Sequence, residues 1–150
     1  DHVPANGKRI HFVRHGEGLH NVWRAAEFSA GRRPHAKRDN IQDVPAELHD
    51  PHLTEKGRSE ARAASAAGGA CQPQLVVMSP MRRALETGLI VFRDAVADDV
   101  PVVAHDLCRE QFRSSNPSIY DSRKSRDELQ LEFPGIDFES FVLPWQEEEK

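Results

Sequence analysis

Apolar residues fall into two kinds of pattern along the chain, short continuous runs and helically spaced positions. Short runs bounded by turn residues are typical of strands, and they predict three: 8–13, 75–78 and 101–104. Helical spacing predicts three helices: 19–30, 55–67 and 81–91. Strands and helices that alternate in this order indicate an α/β domain with a mostly parallel central sheet.

The second helix has the clearest boundaries. Thr54 is a good N-cap because its hydroxyl can accept from an otherwise unpaired backbone N–H. Alanines then supply high helix propensity, and the pair Gly68-Gly69 is expected to end the helix. The uninterrupted apolar run at 75–78 is expected to form a strand that is buried on both faces.

Composition places the chain among ordinary globular domains. It has 150 residues, of which 38% are apolar and 29% charged, with a formal net charge of −4. This balance argues against whole-surface attraction to nucleic acid or anionic membrane, and the apolar runs are far too short to span a bilayer. Cys71 and Cys108 are expected to be free thiols, although one bridge stays open. A cytoplasmic location follows, or an organellar one if a presequence was removed.

The first candidate site is the sequence Arg14-His15-Gly16-Glu17, which follows the first predicted strand. A neutral imidazole is a nucleophile at neutral pH, and a guanidinium holds a phosphate through two parallel hydrogen bonds. Glycines at 16 and 18 let the backbone approach an anion closely. Because ligands of α/β sheets bind at the carboxyl ends of the strands, this position suits a site.

The second candidate lies at the start of the third predicted helix. Residues 79–87 place Arg82 and Arg83 in its first turn. A helix N-terminus already favours anions, and cations gain nothing from the helix dipole there. A bound anion is therefore a reasonable explanation for the two arginines.

With the turn and helix cap at 50–57, these segments resemble the histidine phosphatase superfamily. The match is to an R-H-G-E-x-x-x-N opening at 14–21, D-x-x-L-T-x-x-G at 50–57 and S-P-x-x-R-A-x-x-T at 79–87. Segments 107–110 and 133–138 resemble a phosphatase-type eukaryotic branch similar to plant phosphoglycerate-mutase-like proteins. The resemblance implies a three-layer α/β/α sandwich.

The same resemblance implies a role for each matching residue. His15 matches the nucleophile that is transiently phosphorylated, and Arg14 and Arg83 match the arginines that grip the phosphoryl oxygens. Asn21 matches a polar pocket residue, and Glu110 matches the acid/base that protonates the leaving oxygen. The implied substrate is a small phosphorylated molecule, with no metal and no cofactor required. Three further residues are candidates for substrate contact: Gly16, Glu17 and Arg82.

One feature of the family is missing. A second catalytic histidine is expected late in the chain, on a strand that ends in a His-Gly loop. None of the histidines lies after position 105, and His105 has the wrong neighbours for that role. We therefore expect residues 1–150 to be one domain that is incomplete at its C-terminus. A protein partner or a missing chain segment is expected to complete the sheet.

Two ligand classes compete with a phosphorylated substrate. Metal binding is suggested by two groups: His15/Glu17/His20 and His49/Asp50/His52. Zinc sites need three or four ligands without a competing cation, and neither group has H-E-x-x-H spacing, so no metal is expected. The basic stretch at 32–38 suggests nucleic acid, but it lacks interleaved aromatic residues for base stacking, so no nucleic-acid partner is expected.

Two alternative functions stay open within the resemblance. A catalytically impaired domain of this type can serve as a structural or binding subunit of a larger assembly, and the missing late histidine favours that role. A cofactor-dependent phosphoglycerate mutase is the second alternative. A mutase must exclude water from its phosphohistidine, whereas a phosphatase must admit it, and the loop that decides this is not identified by the sequence.

Overall fold

The computed structural model describes residues 7–32, 44–110 and 118–139. Its α-helices are α1 (Leu19–Ser29), α2 (Glu55–Ala70), α3 (Arg82–Val91), α4 (Arg93–Ala97) and α5 (Arg126–Glu132). Its strands are β1 (Val76–Met78) and β2 (Val102–Ala104). Short 3₁₀ turns lie at Ala46–Leu48, Asp106–Cys108 and Ile119–Asp121. Most of the basic stretch at 32–38 lies outside the described residues.

The two strands form a parallel pair. Val76 is in register with Val102, and Met78 is in register with Ala104. The connection between them runs through α3 and α4, because parallel strands cannot be joined by a tight turn. On the far side of β2, Asp137 continues the sheet as a single parallel bridge to Val103. The α/β class with a parallel sheet is therefore confirmed.

The core lies between this sheet and the helices. Leu85 of α3 and Leu129 of α5 are fully buried against β1 and β2. Residues after α5 add to the same cluster, since Phe133, Ile136 and Phe138 are buried in it. The apolar side chains that α3 and α5 bury against β1 and β2 hold the two strands in place. Candidate site residues follow the end of each strand along the chain.

Helices α2 and α3 pack at very short range, which corrects the predicted end of α2. The helix does not stop at Gly68-Gly69 but continues to Ala70. A Cβ atom on Gly68 would lie 2.2 Å from the carbonyl oxygen of Val91, at the end of α3. The glycine is therefore needed for close helix packing rather than for helix termination.

Two further expectations about the sheet are wrong. Residues 8–13 form no strand, and Ile10 and Phe12 are exposed, Phe12 by 92%. A strand is stable only when a neighbour pairs with its backbone, and no strand of the described residues pairs with this segment. Strand β1 is buried on one face only, because Val77 points away from the core and is 44% exposed.

Two smaller expectations concern the cysteines and the membrane. Cys71 and Cys108 are free thiols in the structure. Within the described ranges, no helix has the length and apolar character needed to cross a membrane.

Candidate active site

The loop that carries His15 lies against the start of α2. Gly18 and Leu53 form an antiparallel bridge, and the backbone N–H of Thr54 donates to the carbonyl of Glu17 at 2.9 Å. A Cβ atom on Gly57 would lie 2.1 Å from the carbonyl oxygen of Glu17, so the two backbones are in direct contact. The helix-start motif at 50–57 therefore holds the His15 loop in place, a role that its sequence alone does not indicate.

A single hydroxyl links the same loop to α3. Thr87 Oγ1 accepts from the backbone N–H of Gly16 at 3.1 Å and donates to the carbonyl of Arg83 at 2.7 Å. Thr87 itself is buried. The loop with the candidate nucleophile and the helix with the candidate phosphate-binding arginine are thus fixed to each other through one side chain.

His15 is half-buried, and its protonation is set by its surroundings. Its Nδ1 lies 2.7 Å from the carbonyl oxygen of Gly16. A carbonyl only accepts, so Nδ1 carries the proton and the lone pair of the neutral ring lies on Nε2. Burial lowers the pKa of His15, and the positive charges of Arg83 and Arg14 lower it further against the opposing effects of Gly16 and Glu110. The ring is therefore neutral and nucleophilic at neutral pH.

Arg83 is the most buried cation of the site. Its Nη1 donates to the carbonyl of Tyr120 at 2.7 Å, and its Nη2 donates to Oδ1 of Asp121 at 3.1 Å. Its Nε is buried and has no partner among the described residues. The two terminal nitrogens are thus anchored within the chain, while the Nε–H remains an unused donor.

Arg14 and Glu110 complete the charges around His15, and both residues are exposed. The charge of Arg14 lowers the pKa of His15, and that of Glu110 raises it, so both groups act on the imidazole. The structure therefore brings Arg14, Arg83 and Glu110 into the electrostatic environment of His15. This combination of a neutral imidazole, two guanidinium groups and a carboxylate can bind a phosphate and exchange a proton with it.

Asn21 and Glu17 make contacts within the scaffold. The side-chain oxygen of Asn21 accepts from the backbone N–H of Gly18 at 2.9 Å, which caps the start of α1. Glu17 accepts from Thr54 Oγ1 at 2.9 Å and from Lys56 Nζ at 2.8 Å. The amide nitrogen of Asn21 is left to donate to a ligand, whereas the Glu17 carboxylate is occupied by α2.

Arg82 also makes structural contacts, although it neighbours Arg83. Its backbone N–H donates to Oδ1 of Asp50 at 2.9 Å, and its guanidinium forms an ion pair with Glu132 at 3.1 Å and contacts His52. Asp50 is fully buried, and its Oδ2 accepts from the backbone N–H of Lys124 at 3.0 Å. Arg82 and Asp50 together fix the segment after residue 118 against α3.

His20 is a buried residue of the site that the motif assignment missed. It is 4% exposed, stacks on Tyr120 with ring centroids 5.4 Å apart, and lies 5.8 Å from the ring of His15. Burial lowers its pKa to about 3, with further lowering by the charges of Arg83 and His15. Its ring packs against Gly18, where a Cβ atom would lie 2.8 Å from it. His20 is therefore a neutral imidazole beside the candidate nucleophile.

Asp121 and Arg24 were missed as well. Burial raises the pKa of Asp121, which faces both Arg83 and Glu110. The charge of Arg24 acts on His20, Tyr120 and Asp121. The i, i+4 spacing of His20 and Arg24 on α1 was a signal that these two share a face of the helix. Asp121 gave no comparable signal.

The two metal-site alternatives have no geometric support. Across residues 7–32, 44–110 and 118–139, no group of three or more histidine, cysteine, aspartate or glutamate side chains is arranged to hold a metal ion. His52 instead contacts Glu86 and Arg82, and Asp50 bonds backbone amides.

The chain is similar to a known protein family and to a curated protein. A family model described as the histidine phosphatase superfamily (branch 1) matches residues 10–114, which is more than half of the chain. A phosphoglycerate mutase-like protein of Arabidopsis thaliana is 29% identical over 163 aligned positions, which cover 87% of this chain and 54% of that protein. The chain thus spans about half the length of this curated relative. No solved structure matches the chain.

Proposed function

The chain belongs to the histidine phosphatase superfamily, and from that membership we propose that it is a phosphomonoester hydrolase that works through a phosphohistidine at His15. The substrate is a small phosphorylated molecule. The observation that carries this proposal is the neutral His15 ring, with its lone pair on Nε2, within the field of Arg14 and Arg83. Such a group is a nucleophile held where a phosphate would be bound.

In the first step, Nε2 of His15 attacks phosphorus, and the bond between phosphorus and the leaving oxygen breaks. The arginines stabilise the charge on the equatorial oxygens, which is the main requirement of phosphoryl transfer. Glu110 donates a proton to the leaving oxygen, and the Nδ1–H of the phosphorylated ring keeps its hydrogen bond to the carbonyl of Gly16.

In the second step, water attacks the phosphorus of phosphohistidine. Glu110, now ionised, accepts a proton from the water, and the bond between Nε2 and phosphorus breaks. Inorganic phosphate leaves, and His15 returns to its neutral form. The cycle consumes one water and has ping-pong kinetics, because the alcohol leaves before the water reacts.

Turnover of para-nitrophenyl phosphate tests this proposal. The wild-type chain should release nitrophenolate and form an acid-labile phosphoprotein. His15→Ala should abolish both signals, whereas His11→Ala, at an exposed position on the approach to the same loop, should retain them. An acid-labile phosphate that persists on His15→Ala would show that the nucleophile is another residue.

The role of Glu110 is tested by the leaving group. Glu110→Gln cannot donate a proton, so hydrolysis of alkyl phosphates should slow by about 10²-fold, a typical contribution of a general acid. Hydrolysis of para-nitrophenyl phosphate should slow less, because nitrophenolate needs little protonation. Equal losses with both substrates would remove Glu110 from this role.

A second candidate function is a structural or binding subunit that retains the phosphate pocket. The observation that favours it is the exposure of three large apolar side chains, Phe12, Leu75 and Val77, which a partner would cover. The same assay separates the two functions. A chain that binds inorganic phosphate but neither turns over substrate nor forms a phosphoprotein would favour the subunit over the hydrolase.

The Arabidopsis thaliana relative is a phosphoglycerate mutase-like protein, which keeps a mutase as the third candidate. A mutase transfers the phosphoryl group of its phosphohistidine back to an organic acceptor rather than to water. Phosphate appearing in solution at the same rate as nitrophenolate supports the hydrolase. Phosphoprotein that decays only when an organic acceptor is added supports the mutase.

A further inference from the structure

Arg24 carries a guanidinium nitrogen that has no hydrogen-bond partner among the residues that the structure describes. It lies on α1, is half-buried, and forms no hydrogen bond or ion pair with any residue in the described part of the chain. That nitrogen is Nε, which is buried, whereas the residue as a whole is partly exposed. A buried guanidinium nitrogen with no partner is costly, and its presence points to a ligand that supplies the partner.

The charges around Arg24 identify the kind of ligand. Three guanidinium groups, those of Arg14, Arg24 and Arg83, all act on the buried ring of His20. Among the described residues, the carboxylates that face this cluster are Asp121 and Glu110, and Asp121 is already bonded to Arg83. The cluster therefore has an excess of positive charge, which an anion would balance.

The position of Arg24 on α1 directs it toward the His15 loop. Side chains of a helix lean toward its N-terminus, so Arg24 lies over the turn that contains His20. That turn follows Gly18, the N-cap of α1, where the helix dipole favours anions and disfavours cations. Arg24 thus shares a face of α1 with His20, whose ring lies 5.8 Å from that of His15.

We propose that Arg24 is a third phosphate-binding guanidinium of the pocket, which meets an oxygen of the phosphoryl group from the α1 side, beside His20. This inference rests on the proposed function, because it takes the anion to be the phosphoryl group of the substrate. It assigns to α1 a positive group that none of the three sequence motifs contains.

Binding of inorganic phosphate to the full chain at constant ionic strength tests the proposal. By isothermal titration calorimetry, Arg24→Gln should weaken binding by about tenfold or more, as expected for a lost charge-assisted hydrogen bond. Arg32→Gln is the matched control, because Arg32 follows the same helix, is exposed and pairs with Glu27. It should bind phosphate as the wild type does. Circular dichroism of each variant verifies its fold.

A second measurement does not depend on the variant folding. The ¹⁵N signal of Arg24 Nε in the wild-type chain should shift when inorganic phosphate is added. It is assigned by its absence in Arg24→Lys. An unshifted signal, or unchanged affinity in a folded Arg24→Gln, would overturn the proposal.

The two proposals fail separately. Phosphate binding that depends on Arg24, without phosphorylation of His15, would uphold the anion site and reject the hydrolase. Phosphorylation of His15 with unchanged phosphate binding in Arg24→Gln would uphold the hydrolase and reject the role of Arg24. A wild-type chain that binds no phosphate would reject both.

Discussion

Asp121 accepts a hydrogen bond from Nη2 of Arg83 at 3.1 Å, and the Arg83 side chain is only 4% exposed. Together with the Tyr120 carbonyl, Asp121 fixes both terminal nitrogens of this guanidinium. The Nε edge is thereby held in one orientation before any ligand arrives. Preorganisation of this kind lowers the cost of binding, because the side chain does not have to be ordered by the phosphate.

The first prediction concerns this pair. Asp121→Ala should raise the phosphate Kd by about tenfold, because Arg83 loses one of its two anchors. Asp121→Asn keeps an oxygen that can accept from Arg83, so it should recover most of the affinity. If only the negative charge of Asp121 mattered, Asp121→Asn would not recover it. Asp127→Ala is the control, since its side chain on α5 is 91% exposed. Calorimetry with inorganic phosphate gives all three values, and equal Kd values for Asp121→Ala and wild type would contradict the assignment.

The second prediction separates the neighbouring arginines. Arg83→Lys loses the planar fork at the ligand, so the phosphate Kd should rise by about tenfold or more. Arg82→Lys should leave the Kd unchanged but lower the free energy of unfolding by about 1 kcal/mol, because its contacts with Glu132 and His52 are structural. Urea denaturation and calorimetry measure the two effects. Similar losses of affinity would mean that both arginines reach the ligand.

The third prediction concerns the contact between the His15 loop and α2. A methyl group on Gly57 would lie 2.1 Å from the carbonyl oxygen of Glu17, so the loop must shift. Gly57→Ala should therefore destabilise the chain by about 1–3 kcal/mol and weaken phosphate binding. Gly69→Ala, in the same helix, approaches only the flexible carboxylate of Asp94 at 3.2 Å and should be stabilising through its helix propensity. A stable, phosphate-binding Gly57→Ala would show that the loop does not depend on this contact.

The fourth prediction is a pH dependence of stability that arises from His20. Its pKa is about 3 in the folded chain against 6.5 for an ordinary histidine, so the unfolded chain binds more protons between these pH values. The neutral His20 ring makes its full contribution to the free energy of unfolding above pH 6.5. This contribution decreases as the pH falls, by about 2 kcal/mol at pH 5. The difference in unfolding free energy between wild type and His20→Gln should shrink by that amount from pH 7.5 to pH 5. His11→Gln changes an exposed residue, so its unfolding free energy should vary with pH as that of the wild type does. A pH-independent difference between the wild type and His20→Gln would mean that the His20 ring is in contact with water.

The sequence predicted the parts of the site that depend on local patterns. His15 lies on a glycine loop and Arg83 lies in the first turn of α3, so local patterns made both residues candidates, and the charge of Arg83 acts on the His15 ring. Helices α1, α2 and α3 followed from apolar spacing, because burial of one face creates that spacing, whereas α4 and α5 were not predicted. Thr54 caps α2 as expected, and its hydroxyl accepts from the backbone N–H of Gly57 at 3.0 Å.

The parts that were missed depend on contacts between distant segments. Asp121 reaches Arg83 because the buried Asp50 binds the backbone of Lys124, which is 74 residues away. No local pattern encodes such an arrangement. The apolar segment at 8–13 has the composition of a strand, but pairing depends on a neighbour, and the structure gives it none among the described residues.

The hydroxyl of Thr87 gives the amide hydrogen of Gly16 an acceptor from a helix 71 residues further along the chain. That hydrogen can exchange with solvent deuterium only when the loop and α3 separate. Its exchange rate therefore measures how often the His15 loop separates from α3. Bound phosphate should slow this exchange if the loop and the helix contact the same phosphate.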